Sequence, residues 1–181
     1  KQTRKWIERM KRESNEIKKE NDCAASFGRF CEVVRHLRAE DGCPWDRAQT
    51  HTSLKPYCIE EAAEVIGGIN IWEATGDAEN LKEELGDLML QILLHAQIAE
   101  EEGLFTIREV MDGASEKMIR RHPHVFGKPM LSEQGEPITD WDAIKKQEKA
   151  GKEWTEAYLP GALEEAEKLL ERAEERKGIK K

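Results

Sequence analysis

The chain reads as an all-α protein with a four-helix-bundle-like core and helical extensions at both ends. Three observations support this. Apolar residues recur at three- and four-residue steps through most of the chain, with no convincing two-residue alternation that would mark a strand. Proline is scarce, 6 in 181 residues, and charged residues make up 36% against 38% hydrophobic, a balance suited to solvated helix faces around a core. Gly and Pro punctuate the ends of the periodic segments, at Gly42-Cys43-Pro44, Gly76, Gly103 and Pro123.

The first helix is expected over Phe27–Leu37, where Phe27, Phe30, Cys31, Val34 and Leu37 share a face. It ends at Asp41-Gly42-Cys43-Pro44, and a polar loop runs to about Ser53. The second helix runs from near Leu54 to Thr75, with Pro56 tolerated in its first turn and Gly76 closing it. Asp77 is the expected N-cap of the third helix, which continues to Glu102 and stops at Gly103. Thr106-Ile107-Arg108-Glu109 has the form of a capping box for the fourth, which Pro123 must end. The core is assigned to 27–150, with charged helical extensions at 1–26 (Trp6, Met10 and Ile17) and 151–181 (Leu159, Leu163, Ala166, Leu170 and Ala173).

The third helix is apolar nearly all round: Leu81, Leu85, Leu88, Ile92, Ala96 and Ala99 form one stripe, and Met89, Leu90, Leu93 and Leu94 cover much of the rest. A bundle this small cannot bury one helix on every side, so a second subunit is expected to cover part of it. Gly67-Gly68 sits in the middle of the second helix, where each glycine costs roughly 1 kcal/mol relative to alanine, so either a neighbouring helix approaches closely there or the helix is loose.

The net charge of −8 argues against a binder of nucleic-acid polymers. No apolar run approaches the roughly 20 residues that span a bilayer, and the basic start Lys1-Gln2-Thr3-Arg4-Lys5-Trp6 lacks the apolar stretch of a secretory signal, so a cytoplasmic protein with no membrane partner is expected. Cys23, Cys31, Cys43 and Cys58 form no C-x-x-C pair and are read as reduced structural thiols.

Glu60-Glu61-Ala62-Ala63-Glu64 places Glu61 and Glu64 on one side of the second helix with Glu60 beside them, and Glu84 and Asp87 repeat the spacing on the third. Packed antiparallel across a short turn, the two helices can aim four or five carboxylates into one cleft, where like charges repel unless a cation intervenes. Hard oxygen donors in that number suit Mg²⁺, with Mn²⁺ as a substitute. Such strings are usually solvated faces, and this chain has 37 acidic residues, including look-alikes at Glu100-Glu101-Glu102 and Glu164-Glu165-Ala166-Glu167. Glu84 and Asp87, however, lie inside the most apolar helix, where acids need a partner.

The ordered strings Cys43-Pro44-Trp45-Asp46, Gln49-Thr50-His51, Ser53-Leu54, Pro56-Tyr57, Glu60-Glu61, Glu84-Leu85-Gly86-Asp87, His95-Ala96 and Arg120-Arg121-His122-Pro123-His124-Val125-Phe126 resemble the MazG-type family over about Phe27 to Lys146. That resemblance implies an all-helical homodimer or higher oligomer that hydrolyses nucleoside triphosphates (NTP or dNTP) to the monophosphate and pyrophosphate, with Mg²⁺ held by Glu61, Glu64, Glu84 and Asp87. Glu60 joins these four as a candidate catalytic residue.

Fixed cations can stabilise charge on a leaving pyrophosphate. Lys117, Arg120 and Arg121 end the fourth helix and are the candidates; they equally complement its dipole, and similarity to the family favours phosphate binding for Lys117 and Arg121. His122 and His124 flank Pro123 as weaker candidates. Trp141 and Lys145 resemble a family segment that closes over the nucleotide, while Trp45 and Tyr57 are further substrate-side candidates. No histidine follows a Glu by three residues, as a di-iron bundle needs, and no phosphate loop is written. The open alternatives are a related all-helical enzyme acting on dUTP, dCTP or phosphoribosyl-ATP, and a helical regulator with a vestigial cleft.

Overall fold

The computed structural model describes residues 22–127, 130–132, 135, 137–138 and 140–179, so the expected helix around Trp6, Met10 and Ile17 lies outside the described residues. The all-α class holds. The chain divides into two units, Lys1–Gln49 and Thr50–Lys181.

In the first unit, α1 spans Cys23–Arg38 and starts four residues earlier than the apolar pattern suggested. The cause is Asp22, whose side chain accepts hydrogen bonds from the amides of Ala24 and Ala25 at 3.1 and 3.3 Å. After α1 the chain turns so tightly that a Cβ on Gly42 would sit 2.2 Å from the His36 carbonyl oxygen, so only glycine fits. A four-residue helix, α2 (Pro44–Arg47), follows. The Arg38 guanidinium ties the loop down by donating to the carbonyls of Asp46 at 2.6 Å and Gln49 at 3.2 Å.

The second unit opens with a self-closing turn: the Thr50 amide donates to Ser53 Oγ at 2.9 Å and the Ser53 amide to Thr50 Oγ1 at 3.2 Å. Helix α3 (Lys55–Thr75) and helix α4 (Glu79–Glu101) form an antiparallel hairpin closed by Gly76 in the left-handed region, φ +78°. Ala78, not Asp77, is the N-cap of α4. The Asp77 carboxylate still accepts from the Glu79 amide at 2.9 Å, so it does the capping chemistry one position early. A Cβ on Gly68 would meet Leu81 Cα at 2.8 Å, whereas one on Gly67 would meet nothing within 4 Å. The two glycines therefore differ: Gly68 lets α3 and α4 approach, and Gly67 has no such steric reason.

Along α4 burial is uneven. Leu93, Leu94, Ala96, Ile98 and Ala99 are buried, while Leu85, Met89 and Ile92 are exposed. Of Met89, Leu90, Leu93 and Leu94, the residues outside the first stripe, Leu93 and Leu94 are 3% and 2% exposed and belong to the chain's own core rather than to a face open to a partner. The exposed apolar stripe is instead Leu85, Met89 and Ile92, at steps of four and three.

Helix α5 (Ile107–Arg121) carries the full capping box at Thr106 and Glu109, and Pro123 begins a short helix, α6 (Pro123–Phe126). A two-stranded antiparallel pair follows, β1 (Met130–Leu131) with β2 (Pro137–Ile138), Met130 opposite Ile138. Two residues per strand are too few for alternation to show in sequence, which is why no strand was expected. Helix α7 (Trp141–Glu148), a 3₁₀ turn (Glu153–Tyr158) and helix α8 (Leu159–Lys177) complete the unit. The expected stripe of α8 is only half used: Ala173 is buried but Leu159 and Leu163 are exposed. No described helix is long and apolar enough to cross a membrane, and the four cysteines are free.

Candidate functional site

The α3–α4 hairpin places its acids as the helical spacing requires. One carboxylate oxygen each from Glu61, Glu84 and Asp87 lies within 4.8 Å of the others, all three side chains partly buried. The Glu84 carboxylate also accepts from Asn80 Nδ2 at 2.8 Å, one turn earlier on α4. Burial raises the Glu61 carboxyl above its ordinary range, and the charges of Asp87 and Glu84 add to the rise; Lys177 opposes it. Three hard, crowded oxygen donors of this kind match the donor set of a small divalent cation.

Glu60 and Glu64 are held differently. Glu60 is 7% exposed and its carboxylate pairs with Arg176, while Glu64, one turn beyond Glu61, pairs with Lys177. Both cations come from the last turn of α8, more than a hundred residues away. Neither was named in the sequence reading, because nothing local to them announces a long-range partner.

A second polar group forms where α5 meets α7. Glu148 receives Arg121 Nε at 2.8 Å and Nη2 at 2.6 Å on one oxygen and Arg120 Nε at 3.1 Å on the other. Burial alone would raise the Glu148 carboxyl, but the hydrogen bonds and charges of Arg121 and Arg120 together outweigh it and hold it below the usual range. Arg121 stacks over the Trp141 ring at 5.1 Å, and His122 meets the same ring edge-on at 5.1 Å. The structure thus gathers Arg120, Arg121, His122 and Trp141 but adds Glu148, a counter-ion the sequence did not reveal. Lys145 instead lines a separate cleft with Asp142, Lys146, Lys149, Glu153 and Glu156. Lys117 is exposed on α5, His124 is exposed beside His122, Tyr57 lies in the first turn of α3, and Trp45, 51% exposed, belongs to the first unit.

The strings Gln49-Thr50-His51 and His95-Ala96 also acquire a physical meaning. The rings of His51 and His95 stack with centroids 5.1 Å apart and planes 4° apart, and their Nδ1 atoms approach to 2.8 Å, so one must donate and the other accept. Burial and the His51 neighbour lower the proton affinity of His95.

Comparison with known proteins converges on this hairpin. The family model described as the MazG nucleotide pyrophosphohydrolase domain matches residues 49–126. The chain is 49% identical over 126 residues to the Nucleoside triphosphate pyrophosphohydrolase/pyrophosphatase MazG of Thermotoga maritima, covering 70% of this chain and 46% of that protein. It is 48% identical over 133 residues to the uncharacterized protein YabN of Bacillus subtilis, covering 74% of this chain and 26% of that protein. It is 40% identical over 125 residues to the nucleoside triphosphate pyrophosphohydrolase of Escherichia coli, covering 68% of this chain and 46% of that one. The chain therefore spans between about a quarter and a half of these relatives. Residues 49–126 thus form a MazG-type nucleotide pyrophosphohydrolase domain within the chain.

Proposed function

We propose that this chain is a Mg²⁺-dependent nucleoside triphosphate pyrophosphohydrolase that converts NTPs or dNTPs to the monophosphate and pyrophosphate. The observation that carries the reading is the Glu61, Glu84 and Asp87 trio, with oxygens within 4.8 Å, inside the span that matches the family. Glu61, Glu84 and Asp87 hold the cation, and Glu64, one turn from Glu61, completes the set when Lys177 releases it. A cation held there would supply Lewis-acid chemistry, polarising the phosphoryl group and offsetting charge on the leaving pyrophosphate.

The remaining roles belong to the chain's own residues. Buried Glu60 is held beside the site by its pair with Arg176. Arg121, pre-oriented on the Trp141 face, contacts the phosphates once they compete with Glu148 for its guanidinium, and Lys117 and Arg120 add positive charge. Trp141, 40% exposed, offers a ring face to the base, with His122 bracing its edge. Tyr57, one turn before Glu61, lines the same cleft, and Lys145 is assigned to the substrate side on family similarity. The exposed Leu85, Met89 and Ile92 stripe supports self-association through α4. Chromatography of ATP turnover products tests the reading: AMP plus pyrophosphate is expected, and ADP plus orthophosphate as the main products contradicts it.

A further inference from the structure

Helix α8 lies outside the residues that match the family, yet its last turn supplies both cations that meet the acids of α3. Its docking on α3 is polar at both ends. Near its start Glu165 accepts from Lys55 at 3.0 and 2.9 Å, and at its end Arg176 and Lys177 pair with Glu60 and Glu64. Between the ends the packing is open. A cavity of about 420 Å³ lies among Cys58, Ile59, Ala62, Ala162, Ala166 and Leu169, and a second of about 380 Å³ reaches Glu64, Gly67 and Lys177. Among the described residues of α8 only Ala173 is buried. A helix end held by ion pairs beside open grooves gains less from dispersion than a fully packed one and opens more readily.

The two pairs differ in a way that assigns them different tasks. The Glu60 side chain is 8% exposed, so removing Arg176 leaves a buried carboxylate without that partner. Lys177 and Glu64 are 41% and 35% exposed, so water can take over either charge at little cost. Glu64 is one helical turn from Glu61, and an ammonium and a divalent cation cannot occupy the same carboxylate oxygens together.

We propose that the last turn of α8 is a counter-ion latch on the metal site, in which Lys177 neutralises Glu64 until a divalent cation displaces it, while Arg176 stays on Glu60 as the hinge. This inference rests on the metal site proposed above. It makes the helix beyond the family core a setting for metal affinity: the stronger the Lys177 contact, the more cation is needed to fill the site.

The test is calorimetric titration of Mn²⁺ and Mg²⁺ into the full chain, together with amide hydrogen exchange of the unaltered protein with and without saturating Mg²⁺. Lys177→Gln is expected to tighten cation binding about two- to fivefold, the factor that an exposed ion pair commands. Lys168→Gln, which breaks a surface pair with Glu164 on the same helix, is expected to leave binding unchanged. Exchange over 174–177 is expected to speed up when Mg²⁺ binds. Metal binding that is normal but no tighter in Lys177→Gln, or exchange at the end of α8 that is unchanged or slowed by Mg²⁺, overturns the latch and leaves the metal site standing. Absence of binding in the unaltered chain overturns both. Because the exchange arm uses no variant, it decides even if Lys177→Gln loses helicity.

Discussion

The acids of the α3–α4 hairpin and the Arg120, Arg121 and Glu148 group at α5–α7 are two polar clusters built on opposite principles. In the hairpin, Glu61 and Asp87 crowd together with Glu84, and burial, with the charges of Asp87 and Glu84 added, raises the Glu61 carboxyl. In the second cluster two guanidinia converge on one buried carboxylate and depress its proton affinity. The first cluster presents crowded carboxylate oxygens, a donor set suited to a small divalent cation. The second pairs two guanidinia with one carboxylate, so it keeps one net positive charge with which to meet a phosphate in competition with Glu148. Charge crowding and charge pairing thus point to metal on one side and anion on the other.

The largest effects expected are at the hairpin. Glu61→Gln and Asp87→Asn should each lower turnover by more than about 100-fold, beyond what loss of an outer partner costs a metal site. The melting temperature without metal should be unchanged or higher, because each change relieves like-charge repulsion. An active Glu61→Gln enzyme at saturating Mg²⁺, or one whose inactivity tracks unfolding by circular dichroism, breaks the comparison.

Arg121→Ala should act the other way. It leaves the Glu148 carboxylate, 13% exposed, with Arg120 alone and should cost about 1–3 kcal/mol of stability along with turnover, while calorimetric metal affinity stays near normal. Adding Glu148→Ala to Arg121→Ala should recover part of that stability but not the turnover. Loss of metal binding in Arg121→Ala would merge the two clusters into one.

The pH dependences should have opposite signs. Glu61, with a raised folded-state value, adds stability at pH below its unfolded value, and that stability is lost as pH rises through the raised one. Glu148, with a depressed value, adds stability above its unfolded value that is lost as pH falls through the depressed one. In metal-free melting series, Glu61→Gln should therefore flatten the limb just above the ordinary glutamate range and Glu148→Gln the limb below it. Metal affinity should weaken as pH falls through the raised Glu61 value, because the proton and the cation compete.

The smallest effects separate the paired glycines. Gly67→Ala should be neutral or stabilising by up to about 1 kcal/mol, as for alanine in a helix interior. Gly68→Ala should destabilise, since its Cβ would press on the Leu81 backbone at 2.8 Å. Equal effects in chemical denaturation would remove the close approach as the reason for Gly68.

What was legible in the sequence was what is local. Helix limits at Gly76, Gly103 and Thr106, and the three-residue spacing of Glu84 and Asp87, depend on neighbours within one or two turns. The mid-helix glycines posed a choice that only the α3–α4 approach could decide. Leu93 and Leu94 were not separable from partner-facing residues because an all-apolar helix does not disclose which side the chain itself covers. The counter-ions stayed hidden for the same reason: Glu148 is 27 positions from Arg121 and Arg176 is 116 from Glu60, and each reads in isolation as one more charge on a solvated helix. Glu165, which the sequence marks as a look-alike solvated acid, turns out to anchor α8 through Lys55.

Calorimetric titration of Mg²⁺ into the unaltered chain and into folded Glu61→Gln at neutral pH asks whether the crowded carboxylates on α3 and α4 bind the cation. A saturable isotherm in the unaltered chain that is abolished or weakened at least about tenfold in Glu61→Gln is expected, since a ligand should cost no less than an outer partner does. Matching isotherms in the two proteins would contradict it.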